Sequence, residues 1–325
     1  MRRFLADSQP ATHGLPLDFK DRDFLDITDF SRDELEHLFL VSDHMTRYLH
    51  NSIETLHGKL MASLFFEPST RTRLSFEAAM KRLGGDAIGF ADPAGSSYSK
   101  GETLVDTIHM VENYVDVIVL RHPAEGSAKI AAQITDLPVI NAGSGALSHP
   151  SQALLDMYTI RREHGSIDGL KVAMVGDLKY GRTVHSLAYG LSLYKVKLML
   201  VSPETLRMRP EILEDLDQRN LPVEQFSRIE EVLSEADVLY MTRIQKERFP
   251  DPLEFEQVRS VYKLTPELLE SAKKDMIVLH PLPRIDEIDP RVDEDPHSRY
   301  FKQAQYGIIT RMALLSLIFG VEEKV

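Results

Sequence analysis

The chain has 325 residues, 43% apolar and 27% charged, a make-up that fits a soluble globular protein of two domains, each with its own core. A formal net charge of −12 sets the surface against nucleic acid and anionic lipid, so neither is expected as a partner and any basic cluster stands against the trend. With no cysteine, the chain has no disulfides, thiolate metal sites or cysteine nucleophile.

Residues 1–20 contain Pro10, Gly14 and Pro16 without periodicity and read as a loose arm. Arg2 and Arg3 are followed by no apolar segment of signal-peptide type, so the cytoplasm is the expected compartment. Ser31 and Glu34 form a capping box that opens a helix with Leu35, Leu38, Phe39 and Ser42 on one face. Short apolar runs then alternate with helical patterns. The first four runs are 59–66, 87–90, 115–120 and 138–140; the next five are 171–175, 196–201, 223–226, 238–241 and 276–279. Continuous apolar runs separated by helices indicate parallel strands buried on both faces. The expected fold is α/β, two domains each built on a parallel sheet flanked by helices. A helix from about His149 to His164 ends at Gly165, where the chain is expected to pass between domains. The apolar stretch 312–321 is too short to span a bilayer and reads as part of a core helix over about 301–319, which periodicity alone does not place.

In open parallel sheets ligands bind beyond the carboxyl ends of the strands. Six such ends stand out. Phe66 leads to Ser69-Thr70-Arg71-Thr72-Arg73, Leu120 to Arg121-His122, and Ile140 through a Gly-rich loop to His149. Val175 leads to Arg182, Met241 to Arg243, and Leu279 to His280-Pro-Leu282-Pro283-Arg284. Five of the six deliver an arginine, which on so acidic a chain implies a polyanionic ligand. Ser69 to Thr72 precede the helix face of Phe76, Ala79, Met80 and Leu83, closed by Gly84-Gly85. Free N–H groups, hydroxyls and a guanidinium at a helix N-terminus make a phosphate site; the alternative is an ordinary N-cap with solvated arginines.

His149 and Gln152 share a face at the start of the next helix, with Pro150 in its first turn. The helix dipole there favours a neutral imidazole, suited to donating a hydrogen bond to a carbonyl. The alternative is a packing histidine. His122 and His280, each before a proline, read as turn residues. The stretch from Gly176 to Thr183 imitates a phosphate-binding P-loop, but Arg182 stands where lysine is required and Asp177 would put a carboxylate in the cradle. Residues 91–102 are small, polar and turn-rich, and read as a solvated loop or a lid that carries Lys100 to a phosphate.

Together these segments resemble the aspartate carbamoyltransferase family, from about Asp26 to the C-terminus. Phe-Phe-Glu-Pro-Ser-Thr-Arg-Thr-Arg, Lys-Gly-Glu-Thr, Arg-His-Pro, His-Pro-Ser-Gln-Ala-Leu-Leu-Asp, Gly-Asp-Leu-Lys-Tyr-Gly-Arg-Thr-Val-His-Ser-Leu, Thr-Arg-Ile-Gln-Lys-Glu-Arg and His-Pro-Leu-Pro-Arg occur in the family's order. The resemblance implies an arm over 1–20, a carbamoyl-phosphate domain over 21–150, an aspartate domain over 151–300, and a terminal helix over 301–325 that returns to the first domain. It implies that Ser69, Thr70, Arg71, Thr72 and Arg121 hold the phosphate, with Ser97 as the contact from the lid. Thr72, Arg121 and His149 would polarise the carbamoyl carbonyl, while Gln152 and the backbone of Leu282 and Pro283 meet the amide. Arg182, Arg243 and Gln245, with Lys100, would bind aspartate, Leu282 also facing it. The implied reaction is carbamoyl transfer to L-aspartate in pyrimidine biosynthesis, without metal or other cofactor, in homotrimers whose Lys100 loop reaches the neighbour's site. A regulatory chain remains a possible partner.

Three rivals are separable. The ornithine-specific relatives use a cysteine near the proline-leucine turn, and this chain has none. A silent scaffold subunit would have lost site residues, and none is lost. A nucleotide-binding module would reveal itself by ATP binding.

Overall fold

The computed structural model describes residues 17–244 and 262–324. Gln245 and all but the last few residues of the expected arm lie outside the described residues.

The apolar runs form strands close to the expected bounds. β1 (Leu60–Phe65), β2 (Asp86–Phe90), β3 (Val117–His122) and β4 (Val139–Ser144) make the first sheet, in the order β2-β1-β3-β4. The second contains β5 (Lys171–Val175), β6 (Lys197–Val201), β7 (Val223–Phe226), β8 (Val238–Met241) and β9 (Ile277–Leu279), in the order β7-β6-β5-β8-β9. Every pairing is parallel. β3 and β4 run further than their apolar cores because the polar residues that extend them are buried and paired. Asn141 Oδ1, for example, accepts from the Gly143 N–H at 2.8 Å and the Ser144 hydroxyl at 3.0 Å.

The described helices are α1 (Arg32–Met45), α2 (Thr70–Arg82), α3 (Leu104–Val111), α4 (Ser127–Ile134), α5 (Pro150–His164), α6 (Arg182–Leu191), α7 (Pro210–Gln218), α8 (Pro266–Leu269) and α9 (Tyr300–Ile318). α1 opens with the reciprocal Ser31–Glu34 capping box read from sequence. α5 ends at Gly165, whose φ of 82° supplies the left-handed C-cap.

Alternate residues along the strands feed different cores. Met61 and Phe65 of β1 pack with α1, α2, α5 and α9, while Ala62 and Leu64 pack on the opposite side with Ile108 of α3 and Ala131 of α4. In the second sheet, Val172 and Met174 join the same central core, whereas Ala173 and Val175 face Val232, Leu264 and Val292. One continuous core therefore links the two sheets, with α5 at its centre; all residues of α5 from Pro150 to Ile160 are buried. α9 returns to the first sheet and packs on α1, α2 and α5. Among the described residues no helix is long and apolar enough to cross a membrane.

Candidate active site

Each sheet reverses its winding once, between β1 and β3 in the first and between β5 and β8 in the second. The crevice beyond such a reversal is where an open parallel sheet receives a ligand. Both crevices open onto one cleft of about 1160 Å³. Ser69, Thr70, Arg71, Thr72, Arg121, His149, Gln152, Arg182, Arg243, Leu282 and Pro283 all line it.

Ser69 stands at the N-cap of α2, but its hydroxyl makes no capping bond. The first-turn N–H groups of α2 thus lie at the positive end of the helix without a side-chain cap, the arrangement that receives an anion. Thr72 is buried at the cleft floor, and Arg71 projects into the cleft, its pKa lowered by burial. Arg121 is buried too. Burial and the nearby Arg182 lower its pKa to about 10. Its Nη2 donates to Glu67 Oε1 at 3.0 Å, and its Nη1 reaches the Ala142 carbonyl at 3.4 Å.

Glu67 also receives Arg182, with both bonds at 3.2 Å, and so ties the first sheet to the second. Arg182 Nη1 donates to the Gly145 carbonyl at 2.6 Å as well. Burial pushes the Glu67 carboxyl up, but Arg182 and Arg121 outweigh it and hold its pKa below the usual value. Gly143, with φ at 122°, allows the two guanidiniums this close. A Cβ there would sit 3.3 Å from Arg121 Nη1 and 3.4 Å from Arg182 Cζ.

His149 is the N-cap residue of α5 and is buried. Its imidazole is held well below its ordinary pKa, in the expected direction but from a different cause. Burial comes first, followed by Arg182, Arg121 and Arg311, where the sequence reading relied on the helix dipole. Gln152, one turn on, lies in the same wall. Across the cleft, the turn after β9 brings in Leu282, at φ 56°, and Pro283, joined by a cis peptide. His280 secures that turn. Its Nδ1 accepts from the Leu282 N–H at 2.7 Å and its Nε2 lies 2.7 Å from Glu287 Oε1. An imidazole that accepts at Nδ1 is neutral, and burial lowers the His280 pKa accordingly. His122 Nδ1 accepts from the Ala124 N–H at 3.0 Å, so both histidines are turn residues as read.

Several expectations need revision. Arg284 does not join the cleft: it pairs with Asp293 and donates to the Tyr300 hydroxyl at 3.0 Å. In its place α9 contributes Arg311, a buried guanidinium whose Nη1 donates to the Gly307 carbonyl at 2.9 Å and which lies 4.8 Å from the centre of the Phe76 ring. Burial lowers its pKa to about 10. Arg311 and Glu67 were missed as site residues. The available signal for Arg311 was one arginine in the apolar stretch Ile-Ile-Thr-Arg-Met-Ala-Leu-Leu. The P-loop likeness fails as anticipated, since Asp177 Oδ1 accepts from the Tyr180 N–H at 2.9 Å inside the loop. Residues 97–100 form a single 3-10 turn, with Tyr98 packed on Phe66 at 5.0 Å and His122 at 6.4 Å between ring centres. Neither Ser97 nor Lys100 is among the residues lining this chain's cleft; Ser97 borders a smaller cavity of about 280 Å³ beside β2 and α3. Among the described residues no group of three or more His, Asp or Glu is placed to hold a metal ion.

A parallel α/β protein with arginines from two reversal points lining one cleft belongs to the class of enzymes that grip a small polyanion. Residues 22–162 match the carbamoyl-P binding domain of aspartate/ornithine carbamoyltransferase, and residues 168–318 match its Asp/Orn binding domain. The chain belongs to the aspartate/ornithine carbamoyltransferase family. It is 56% identical to the aspartate carbamoyltransferase catalytic subunit of Methanopyrus kandleri over 304 residues, 93% of this chain and 98% of that one. Its fold superposes on the catalytic subunit of M. jannaschii aspartate transcarbamoylase with a TM-score of 0.87 at 48% identity, covering 94% of this chain and all of that one. The Trypanosoma cruzi aspartate transcarbamoylase in complex with carbamoyl phosphate and aspartate gives a TM-score of 0.87 at 40% identity, over 92% and 97% of the two chains.

Proposed function

We infer that this chain transfers the carbamoyl group of carbamoyl phosphate to the amine of L-aspartate, giving N-carbamoyl-L-aspartate and phosphate, a step of pyrimidine biosynthesis. The observation that carries this reading is the meeting of Arg71, Arg121, Arg182 and Arg243 with a neutral His149 in one cleft. Residues 21–150, with the terminal helix of 301–325, hold carbamoyl phosphate, and residues 151–300 hold aspartate.

The phosphate sits at the N-terminus of α2, on Ser69, Thr70, Arg71 and Thr72, with Arg121 beside it. Thr72, Arg121 and His149 donate to the carbamoyl oxygen, while Gln152 and the Leu282 and Pro283 carbonyls address the amide. Arg182, Arg243 and Gln245 take the aspartate carboxylates. The amine then attacks the carbonyl carbon. As the C–N bond forms, charge gathers on the oxygen, where fixed donors stabilise it without reorganising. The C–O bond to phosphate breaks, and the departing phosphate takes the amine proton. Ser97 and Lys100 stand off the cleft of their own chain, which supports a homotrimer in which they complete a neighbour's site. The reaction so described uses no metal or organic cofactor, and the enzyme works in the cytoplasm.

Purified protein incubated with carbamoyl phosphate and L-aspartate should form carbamoyl aspartate, unaffected by prior chelation. Robust turnover of ornithine with none of aspartate would overturn the assignment.

A further inference from the structure

One buried carboxylate takes no part in these steps. Asp156 lies one turn beyond Gln152 on α5, with no exposed surface, and three side chains from three elements converge on it. Gln152 Nε2 donates to Oδ1 at 2.8 Å, Gln303 Nε2 from α9 donates to the same oxygen at 2.5 Å, and the Tyr240 hydroxyl from β8 donates to Oδ2 at 2.7 Å. Gln303 Oε1 in turn accepts from the His280 N–H at 2.9 Å, and His280 holds the Leu282 turn. An unbroken run of hydrogen bonds thus joins Gln152 to the turn of Leu282, the two groups assigned to the carbamoyl amide.

The orientations in this run are forced. A backbone N–H can only donate, so Gln303 must turn its oxygen to His280 and its NH₂ to Asp156. Asp156 Oδ1 is therefore an acceptor in either protonation state. Burial pushes the carboxyl up to about 7; a proton bound there has its place on Oδ2, with the Tyr240 hydroxyl turning from donor to acceptor. An acceptor at Oδ1 requires the NH₂ of Gln152, which leaves Gln152 Oε1 as the end available to the cleft.

We propose that Asp156 is a positioning residue that turns the Gln152 carbonyl oxygen toward the cleft, so that the site selects an amide over an alkyl group on its acyl phosphate. This rests on the reading that Gln152 meets the transferred group. A carbamoyl NH₂ can donate to Gln152 Oε1, whereas the methyl of acetyl phosphate would leave that buried acceptor unpaired.

The test uses two unreactive mimics that differ only in this group, phosphonoacetamide and acetonylphosphonate, titrated calorimetrically into the full-length protein. The unmodified protein should bind the amide about tenfold or more tightly than the ketone, the effect of one unmet buried acceptor. Asp156→Asn should keep that ratio, because its oxygen must still face Gln303. Asp156→Leu, similar in shape but without an acceptor, should bring the ratio within about twofold of unity. If circular dichroism shows the leucine variant unfolded, Asp156→Ala takes its place with the same expectation. A tenfold preference that survives in the acceptor-less variant, even with both affinities reduced, overturns the proposal, as does its loss in Asp156→Asn. Equal binding of both mimics by the unmodified protein also overturns it while leaving the carbamoyl-phosphate reading intact. Failure of the unmodified protein to bind either mimic overturns that reading itself.

Discussion

The two sides of the cleft are built on different principles. On the first-sheet side, the proposed anion site is the uncapped start of α2, and Thr72, Arg121 and His149 are buried. On the second-sheet side, Arg182 is held by Glu67, a residue that belongs to the opposite sheet. Glu67 ties both sides, since it takes Arg121 as well as Arg182; the first side adds a helix end and buried donors, whereas Arg182 is half-buried. Preorganised donors act most strongly where charge develops during reaction, whereas the half-buried guanidiniums of Arg182 and Arg243 offer the fork geometry that matches a carboxylate. On the proposed function, the first side carries the chemistry and the second the ground-state recognition of aspartate.

The largest effects should come from breaking the chemical side. His149→Ala should lower kcat roughly 10²- to 10³-fold while carbamoyl-phosphate affinity, measured by calorimetry, stays close to normal. Lys100→Ala should be comparably damaging, although Lys100 stands off the cleft of its own chain. If neighbours share sites, dissociating the two variants, mixing them equally and reassociating them should restore about one site in four, from pairing around a closed ring. Mixed trimers confirmed by native mass spectrometry but still inactive would remove the shared site.

A smaller effect separates the two sides directly. Arg243→Ala should raise the aspartate KM roughly 10- to 100-fold with a lesser change in kcat, as expected for a charged contact made in the ground state. Arg71→Ala should instead depress kcat and weaken carbamoyl phosphate. Indistinguishable kinetic profiles for the two variants would erase the contrast between the sides.

What the sequence revealed follows the same division. Residues 171–175 and 238–241 read as strands because both faces of a parallel sheet select apolar side chains; 223–226 is a strand too, but at the sheet edge with Glu224 and Gln225 exposed, not buried on both faces as expected. The phosphate end of α2 was legible because its helix face and its polar start adjoin in the chain. Glu67 was not, since its partners Arg121 and Arg182 are 54 and 115 residues away. Arg284 read as a strand-end arginine facing the ligand, and Arg311 escaped notice, for a related reason. A strand-end arginine can be claimed by a local carboxylate, here Asp293, and an arginine in an apolar helix can be aimed at a site only once the helix has been placed. His149 was read as neutral from its helix position; burial and three arginines from distant parts of the chain hold it neutral as well, and these were not legible.

The smallest expected effect is on stability, and it cuts across both sides. Burial lowers the pKa of His122 and His149 on the first side and of His280 and His185 on the second, His185 to about 4. The unfolded chain takes up protons near pH 6.5 that these native imidazoles refuse, so stability rises with pH in this window and falls as pH drops below it. Asp156 acts in the opposite sense. Its carboxyl, raised to about 7, keeps a proton that the unfolded chain releases above about 3.9, so its contribution is present in acid and fades as pH rises toward 7. Burial raises Asp29 in the same sense, and four histidines against two carboxyls make the net slope positive. Each fully engaged group is worth at most about 1.4 kcal/mol per pH unit. The thermal midpoint should therefore fall by several degrees from pH 7 to pH 5.5, at roughly 2–4 °C per kcal/mol. Asp156→Asn removes an opposing contribution, so its midpoint should fall more steeply over the same range. A shallower fall in Asp156→Asn, measured by scanning calorimetry at matched ionic strength, would show that Asp156 does not hold a proton in the native protein near neutral pH.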